Sequence, residues 1–305
     1  MHAIWLPWLS PTVLLGTLGF GLLYYLVTGI LSYYRLSHIP GPFLWAWSRL
    51  PLIQTHLKGD SYEKFGSLAK TYGKLVRIGP NYVLTSDPDI VRRMNATRSR
   101  YTRSNWYMAS RFTPGVDNMV SDRDDHNHEI MRKKAAPAYS GKENLRLEQD
   151  VDECVLDFVH LIEAKYLTVN DNQPVKMELA RKAQFFTTDV ISLLAFREKF
   201  NNLRDDTDNF GYITEIETLF PNMFCMAVFP EIVEFLTATG IFQLLNPAEN
   251  PRLAFGKVMA IAKRQIESRV DSQGNFKETH GDMMGSFIRH GMTRQQLEQE
   301  TMLQL

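Results

Sequence analysis

Cysteine is nearly missing from this chain. Cys154 and Cys225 are the only two, with no C-x-x-C and no paired spacing, which excludes a disulfide framework and a cysteine-rich structural zinc site. Net charge is missing too. Lys plus Arg and Asp plus Glu each number 34, so no global field steers the chain to nucleic acid, and any basic patch has to be argued locally. Internal repeats and low-complexity tracts are absent. What is present, over 305 residues of 44% hydrophobic content, is a globular composition with room for one large domain or two ordinary ones.

Charge of either sign is also lacking from Ala3 to Tyr34. Within that stretch the apolar run Thr12 to Leu31, at about 1.5 Å rise per residue, makes a helix of roughly 30 Å, the thickness of a bilayer's hydrocarbon core. A membrane-spanning helix over 12–34 is expected, preceded by a short lumenal segment over 1–11. The competing reading is a cleaved signal peptide, but a basic n-region and a small-residue cleavage site are missing and the apolar run is too long. Trp5 and Trp8 at one end and Tyr33 and Tyr34 at the other suit interfacial belts. Arg35 and Arg49 lie only on the C-terminal side, which places the rest of the chain in the cytosol. "HIPGPF", His38 to Phe43, then stops the helix: Pro40 and Pro42 fix φ, lack an N–H and restrict the residues before them. Residues 35–50 therefore read as a stiff elbow, and 51–305 as the folded body.

In that body "GDSYEKFGSLAKTYGK" reads as a helix with Asp60 and Glu63 in capping-box spacing and Gly73 at its end. Two short strands, Lys74 to Ile78 and Tyr82 to Thr85, flank a Gly79-Pro80-Asn81 turn. Pro88 after Asp87 opens another helix. From Asp122 onward the pattern is mostly helical: 123–139, 145–166, 179–197, 208–219, 230–239, 252–270, 281–290 and 294 to the end. The expected fold class is mainly α with a small β-sheet. In the last element Thr293 and Gln296 suit a capping box, and Leu297, Thr301 and Leu305 stack at helical spacing. No closing signal follows, and the expectation is that residues beyond Leu305 belong to this protein.

The most informative stretch is "DDHNHEIMRKKAAPAYSG", Asp124 to Gly141. It is open to reading as a metal site, a solvated basic face or a grip on an anion. On a helix His126 and His128 face different ways and do not chelate one metal, so no metal site is assigned. His128 and Arg132, four apart, share a face and can converge on one anionic group. The competing reading pairs Arg132 with a helix carboxylate such as Glu129. Lys133 and Lys134 leave that face.

The order of apolar helix, "IPGPF", "YGKLVRIGPNYVLTSDPDIV" and "HEIMRKKAAPAYS" resembles the N-terminal part of a membrane-anchored cytochrome P-450, in detail the fungal branch that includes pisatin-demethylase-like enzymes. The resemblance covers essentially the whole chain. It implies a heme-thiolate monooxygenase with heme b as cofactor, which uses O2 and NADPH to oxidise an apolar small molecule in fungal secondary metabolism. It also implies an endoplasmic reticulum membrane anchor and NADPH-cytochrome P-450 reductase as electron donor. His128 and Arg132 match the family's H-x-x-x-R pair for the heme propionates, and carboxylates are what Arg binds with charge-assisted hydrogen bonds. Lys133 and Lys134 lie where the family presents positive charge to its reductase. Residues 103–121, with Trp106, Tyr107, Phe112 and Pro114-Gly115, match the loop over the substrate pocket, although a surface loop with buried anchors has the same composition. "LFPNMFCMAVFPEIVEFL" matches the region between the helices that roof the pocket, and plain core is its other reading.

The resemblance also marks what this stretch of sequence lacks. The axial cysteine of the family lies in a glycine-containing loop near its C-terminus. Neither Cys154 nor Cys225 has that context, and both read as small buried hydrophobes. Glu129/Arg132, Glu143/Arg146 and Glu178/Arg181 have E-x-x-R spacing, but none is in the family's place. The acid-alcohol pair for proton delivery is expected just after Leu305, so no catalytic residue is assigned. The expected product is therefore a C-terminally incomplete monooxygenase, or else a catalytically inactive, membrane-tethered remnant.

Overall fold

The computed structural model describes residues 11–97, 99–168, 174–241, 254–277 and 281–304. Trp5 and Trp8, and the first residues of the expected 252–270 helix, lie outside the described residues. The chain divides into two compact units, Met1–Tyr101 and Thr102–Leu305.

The first unit holds α1 (Pro11–Arg35), α2 (Phe43–Trp47), α3 (Leu50–Lys58), α4 (Ser61–Tyr72), β1 (Leu75–Arg77), β2 (Val83–Thr85) and α5 (Pro88–Met94). The helix expected over 12–34 is α1. The elbow is tighter than a plain turn, since it contains α2, and α3 begins at its last residue. β1 and β2 pair antiparallel with Val76 opposite Leu84, as the turn between them predicts.

One buried arginine organises this unit. Arg77, 2% exposed, donates from Nη1 to Tyr33 O at 3.1 Å and from Nη2 to Ser32 O and Pro80 O, each at 3.0 Å. Longer bonds reach Ala46 O and Gly79 O. The guanidinium thus grips carbonyls at the C-terminal end of α1 while holding α2 and the β-turn. Its backbone N–H donates to Pro40 O at 2.8 Å. A Cβ on Gly41 would run into the Arg77 carbonyl oxygen, so the glycine between the two prolines allows this close approach.

One expected feature is not formed. Asp60 sits at the N-cap of α4 without a side-chain capping bond, because its backbone (φ −99, ψ 17) is not in the extended conformation that aims a cap side chain at the helix amides. At α5 the Asp87 carboxylate does accept from Asp89 N.

The second unit begins with a 3-10 turn (Asn105–Ser110) and continues with α6 (Asp125–Tyr139), α7 (Leu147–Leu161) extended by a π-turn (Ile162–Tyr166), α8 (Leu179–Phe196) and α9 (Asn202–Asp205). It then runs through α10 (Tyr212–Val228), α11 (Pro230–Ala238), α12 (Ala254–Ser268), α13 (Met283–Arg289) and α14 (Arg294–Leu303). The core interleaves Met131 and Ala135 of α6, Ala195 of α8, Ile266 of α12, Phe287 of α13 and Leu297 of α14. The fold is mainly helical with one small sheet among the described residues.

Two boundaries move. The helix expected over 208–219 starts after Gly211, whose φ of 71 breaks the helix, and runs on through Pro221 to Val228. "LFPNMFCMAVFPEIVEFL" is therefore helical rather than a connection, as the second half of α10 and most of α11, which meet at a 94° bend. Among the described residues no single helix is long and apolar enough to cross a membrane; that bent pair is, by length and composition only.

Candidate functional site

Helix α6 forms where its cap dictates. The Asp124 carboxylate accepts from His126 N and Asn127 N, both at 2.9 Å, which satisfies orphan amides of the first turn. Pro137 lies in the last turn, so the bond its missing N–H removes is close to where the chain leaves at Ser140. Between these ends His128 and Arg132 project one turn apart and line a concavity of about 560 Å³ together with Arg103, Met119 and Tyr139. His126 is exposed and takes no part.

Arg103 was not legible as a member of this group, since it comes from the segment before α6. Its Nη1 donates to Asp122 O at 3.0 Å and its Nη2 lies 2.9 Å from His128 Nε2. A guanidinium only donates, so Nε2 accepts and the imidazole proton sits on Nδ1. Burial, with Arg103 and Arg132 beside it, holds the His128 pKa below its ordinary value, so the ring is neutral. Tyr139 lies seven residues after Arg132, a spacing from which helical periodicity would have placed it on the same face.

The Glu129 alternative fails. Glu129 takes Lys133 as its partner at 2.8 Å, and among the described residues no carboxylate pairs with Arg132. Lys133 and Lys134 have different surroundings. Lys134 is drawn in, donating to Gly291 O at 2.7 Å and Gln296 Oε1 at 3.2 Å, and so ties α6 to the turn before α14. Lys133 stays 74% exposed. The other E-x-x-R spacings carry no pair: Arg146 goes to Asp150, Arg181 to Glu217, and Glu143 to Ser286, Arg289 and His290.

A second feature lies where the 3-10 turn and the loop after it meet α10 and α11. Met108, Phe112, Leu219, Met223, Met226 and Val233 are among the walls of an apolar groove of about 330 Å³. Trp106 stacks on Phe224 with centroids 5.8 Å apart, and Asn105 Nδ2 donates to Glu234 Oε1 at 2.6 Å. The loop over 103–121 and the run over 219–236 are thus brought together, and the arrangement suits an apolar ligand.

Two arginines and a neutral imidazole, lining a concavity whose walls include no acid, form a donor set suited to carboxylates. The propionate edge of a heme fits it. The iron is another matter. Cys154 is fully buried in α7, and burial pushes its thiol up to about 11; burial raises that of Cys225 as well. Neither lines the concavity, so among the described residues no thiolate is offered.

The described residues thus offer a basic concavity on α6 and an apolar groove beside α10 and α11 in a mainly helical chain. A family profile described as cytochrome P-450 matches residues 40–304, and the chain belongs to that family. It is 37% identical over 87% of its length to cytochrome P-450 monooxygenase aba1 of Botryotinia fuckeliana, covering 52% of that protein. It is 33% identical over 98% of its length to cytochrome P-450 monooxygenase ABA1 of Pyricularia oryzae, covering 58% of it. Over 41% of the chain it is 42% identical to a protein of Epichloe uncinata named inactive cytochrome P-450 monooxygenase lolP2, covering 67% of that protein. The chain spans about half the length of the first two relatives.

Proposed function

We propose that this chain is the N-terminal, cofactor-gripping and ligand-covering part of a heme-thiolate monooxygenase of fungal secondary metabolism, in a pisatin-demethylase-like branch, oxidising an apolar small molecule with O2 and electrons from NADPH. The observation that carries the reading is the concavity lined by Arg103, His128 and Arg132, whose walls include no acid. Heme b, when bound through a cysteine thiolate, supplies the iron at which oxygen is activated. The residues here hold its carboxylates at Arg132 and His128, keep the His128 proton on Nδ1 and exclude water from the groove. Helix α1, which carries no charged residue from Pro11 to Tyr34, tethers the protein to the endoplasmic reticulum membrane with its body in the cytosol. Lys133 contributes to docking of NADPH-cytochrome P-450 reductase, with Lys134 a tether.

Titration of the expressed chain with hemin, followed by quenching of tryptophan fluorescence, tests the clamp. Arg132→Ala weakens hemin binding by about tenfold or more, the size of a lost charge-assisted bond. Equal affinity in the wild type, Arg132→Ala and His128→Ala refutes it.

The second reading, a catalytically inactive membrane-tethered remnant, is favoured by the two raised cysteine thiols and by the likeness to a relative named inactive. A reduced carbon monoxide difference spectrum of the expressed chain, with a read of the transcript past the Leu305 codon, decides between the two. A thiolate-type spectrum, or a reading frame that continues into a cysteine loop, ends the remnant reading.

A further inference from the structure

Helix α14 contributes nothing to the walls of the apolar groove, yet it buries two long polar side chains where a leucine would pack well. Gln299 is 2% and Glu300 0% exposed. Each makes one bond, and both bonds go to the loop that walls the groove. Gln299 Nε2 donates to Thr113 Oγ1 at 2.9 Å, and Met119 N donates to Glu300 Oε1 at 2.7 Å. The second oxygen of each, Gln299 Oε1 and Glu300 Oε2, is buried without a partner. Burial on those terms costs stability, so the arrangement is better explained by the position it specifies than by the energy it contributes.

The loop is stiff enough for its position to matter. Arg111 grips Asp117 through two bonds of 2.7 Å. Asn118 donates to Ser110 O at 2.8 Å and accepts from Val120 N and Ser121 N at 2.9 Å. Between them Thr113 and Val116 close a turn whose tip, Gly115, faces Thr237 of α11. Residues 110–121 therefore move as a piece. Their near end is fixed to α10 and α11 by Trp106 on Phe224 and Asn105 on Glu234; toward the far end they are held by Gln299 and Glu300 of α14 and, one residue beyond, by the Arg103 bond to Asp122 O.

We propose that Gln299 and Glu300 latch this loop to α14 and so set the opening of the apolar groove, which makes two residues outside the groove determinants of what it admits. The part about admission rests on the reading of the groove as a site for an apolar ligand; the latch does not. Both are positioning residues, because neither touches the groove.

The experiment is amide hydrogen exchange at Met119 in the expressed chain, with affinity for the apolar dye Nile red measured alongside. The variants are Glu300→Ala, Glu300→Gln and Gln299→Ala. Met226→Trp, which fills the groove, marks dye bound there by abolishing it. Glu300→Ala is expected to speed exchange at Met119 by about tenfold, the size of a lost hydrogen bond, and to change dye affinity several-fold. Glu300→Gln keeps the acceptor and restores both. Gln299→Ala loosens the Thr113 end and shifts dye affinity by itself, which keeps the test decisive should Glu300→Ala fail to fold. Unchanged exchange at Met119 in Glu300→Ala, or unchanged exchange across residues 113–116 in Gln299→Ala, overturns the latch. Exchange that responds while dye affinity matches the wild type overturns control of admission. A wild type that binds no dye while exchange responds as expected refutes the apolar-ligand reading of the groove and upholds the latch.

Discussion

Replacing Glu300 by glutamine keeps an acceptor for Met119 N–H and removes the proton that makes this site depend on pH. The wild-type carboxyl is fully buried, its Oε2 has no partner, and burial pushes its pKa up from 4.5 to about 7 against the smaller opposing effect of the Met119 bond. The unfolded chain releases this proton near 4.5, whereas the fold retains it to about 7, so folding between those values takes up a proton and stability falls as pH rises. The contribution is fully present below the lower value and lost above the upper one. At about 1.4 kcal/mol per pH unit the loss amounts to about 3 kcal/mol. Glutamine, a neutral mimic of the protonated acid, escapes it. Urea denaturation followed by helical circular dichroism checks this: the two proteins are expected to be equally stable near about pH 4, with Glu300→Gln more stable by about 2–3 kcal/mol near about pH 8. Parallel stability profiles across that range would refute the claim that a buried, titrating carboxyl sits under the loop.

Arg77→Met fills the volume but removes the donors for Ser32 O, Tyr33 O and Pro80 O; a loss of about 3–5 kcal/mol in the first unit is expected, read as faster proteolysis of the 38–43 elbow in detergent. Asp124→Ala strips the cap from α6 and is expected to cost about 1 kcal/mol, measured as a lower urea midpoint, with Asp124→Asn restoring most of it.

What the sequence revealed followed the periodicity of single elements. His128 and Arg132 were found because one helix carries both at a four-residue spacing, and the loop and the apolar run were found by resemblance in order. Arg103 escaped because it reaches His128 from a segment without periodicity. Glu300 escaped for a different reason. The stripe of Leu297, Thr301 and Leu305 implies a helix with one inward face, but Gln299, Glu300, Thr301 and Met302 are all buried, so protein surrounds α14 on several sides. A helix whose pattern is polar gives no warning of that, since its burial is decided by neighbours distant in sequence. The misplaced cap at Asp60 shows the converse: the residue type was right, but the backbone at that position does not present it.

The segment from Arg103 to Asp122 faces two surfaces of opposite chemistry. Arg103 and Met119 meet the basic concavity on α6, while Met108, Phe112 and Gly115 meet the apolar groove. A floppy segment would not keep these apart, because any rotation would bring a guanidinium toward the groove or an aromatic ring toward the cationic site. The bonds within the loop therefore do more than stabilise a turn. Arg111 is neutralised by Asp117 beside the groove it lines, which keeps that wall from competing for an anion, while Arg132 has no acid and is left to bind one. The same segment thereby keeps the basic concavity and the apolar groove apart.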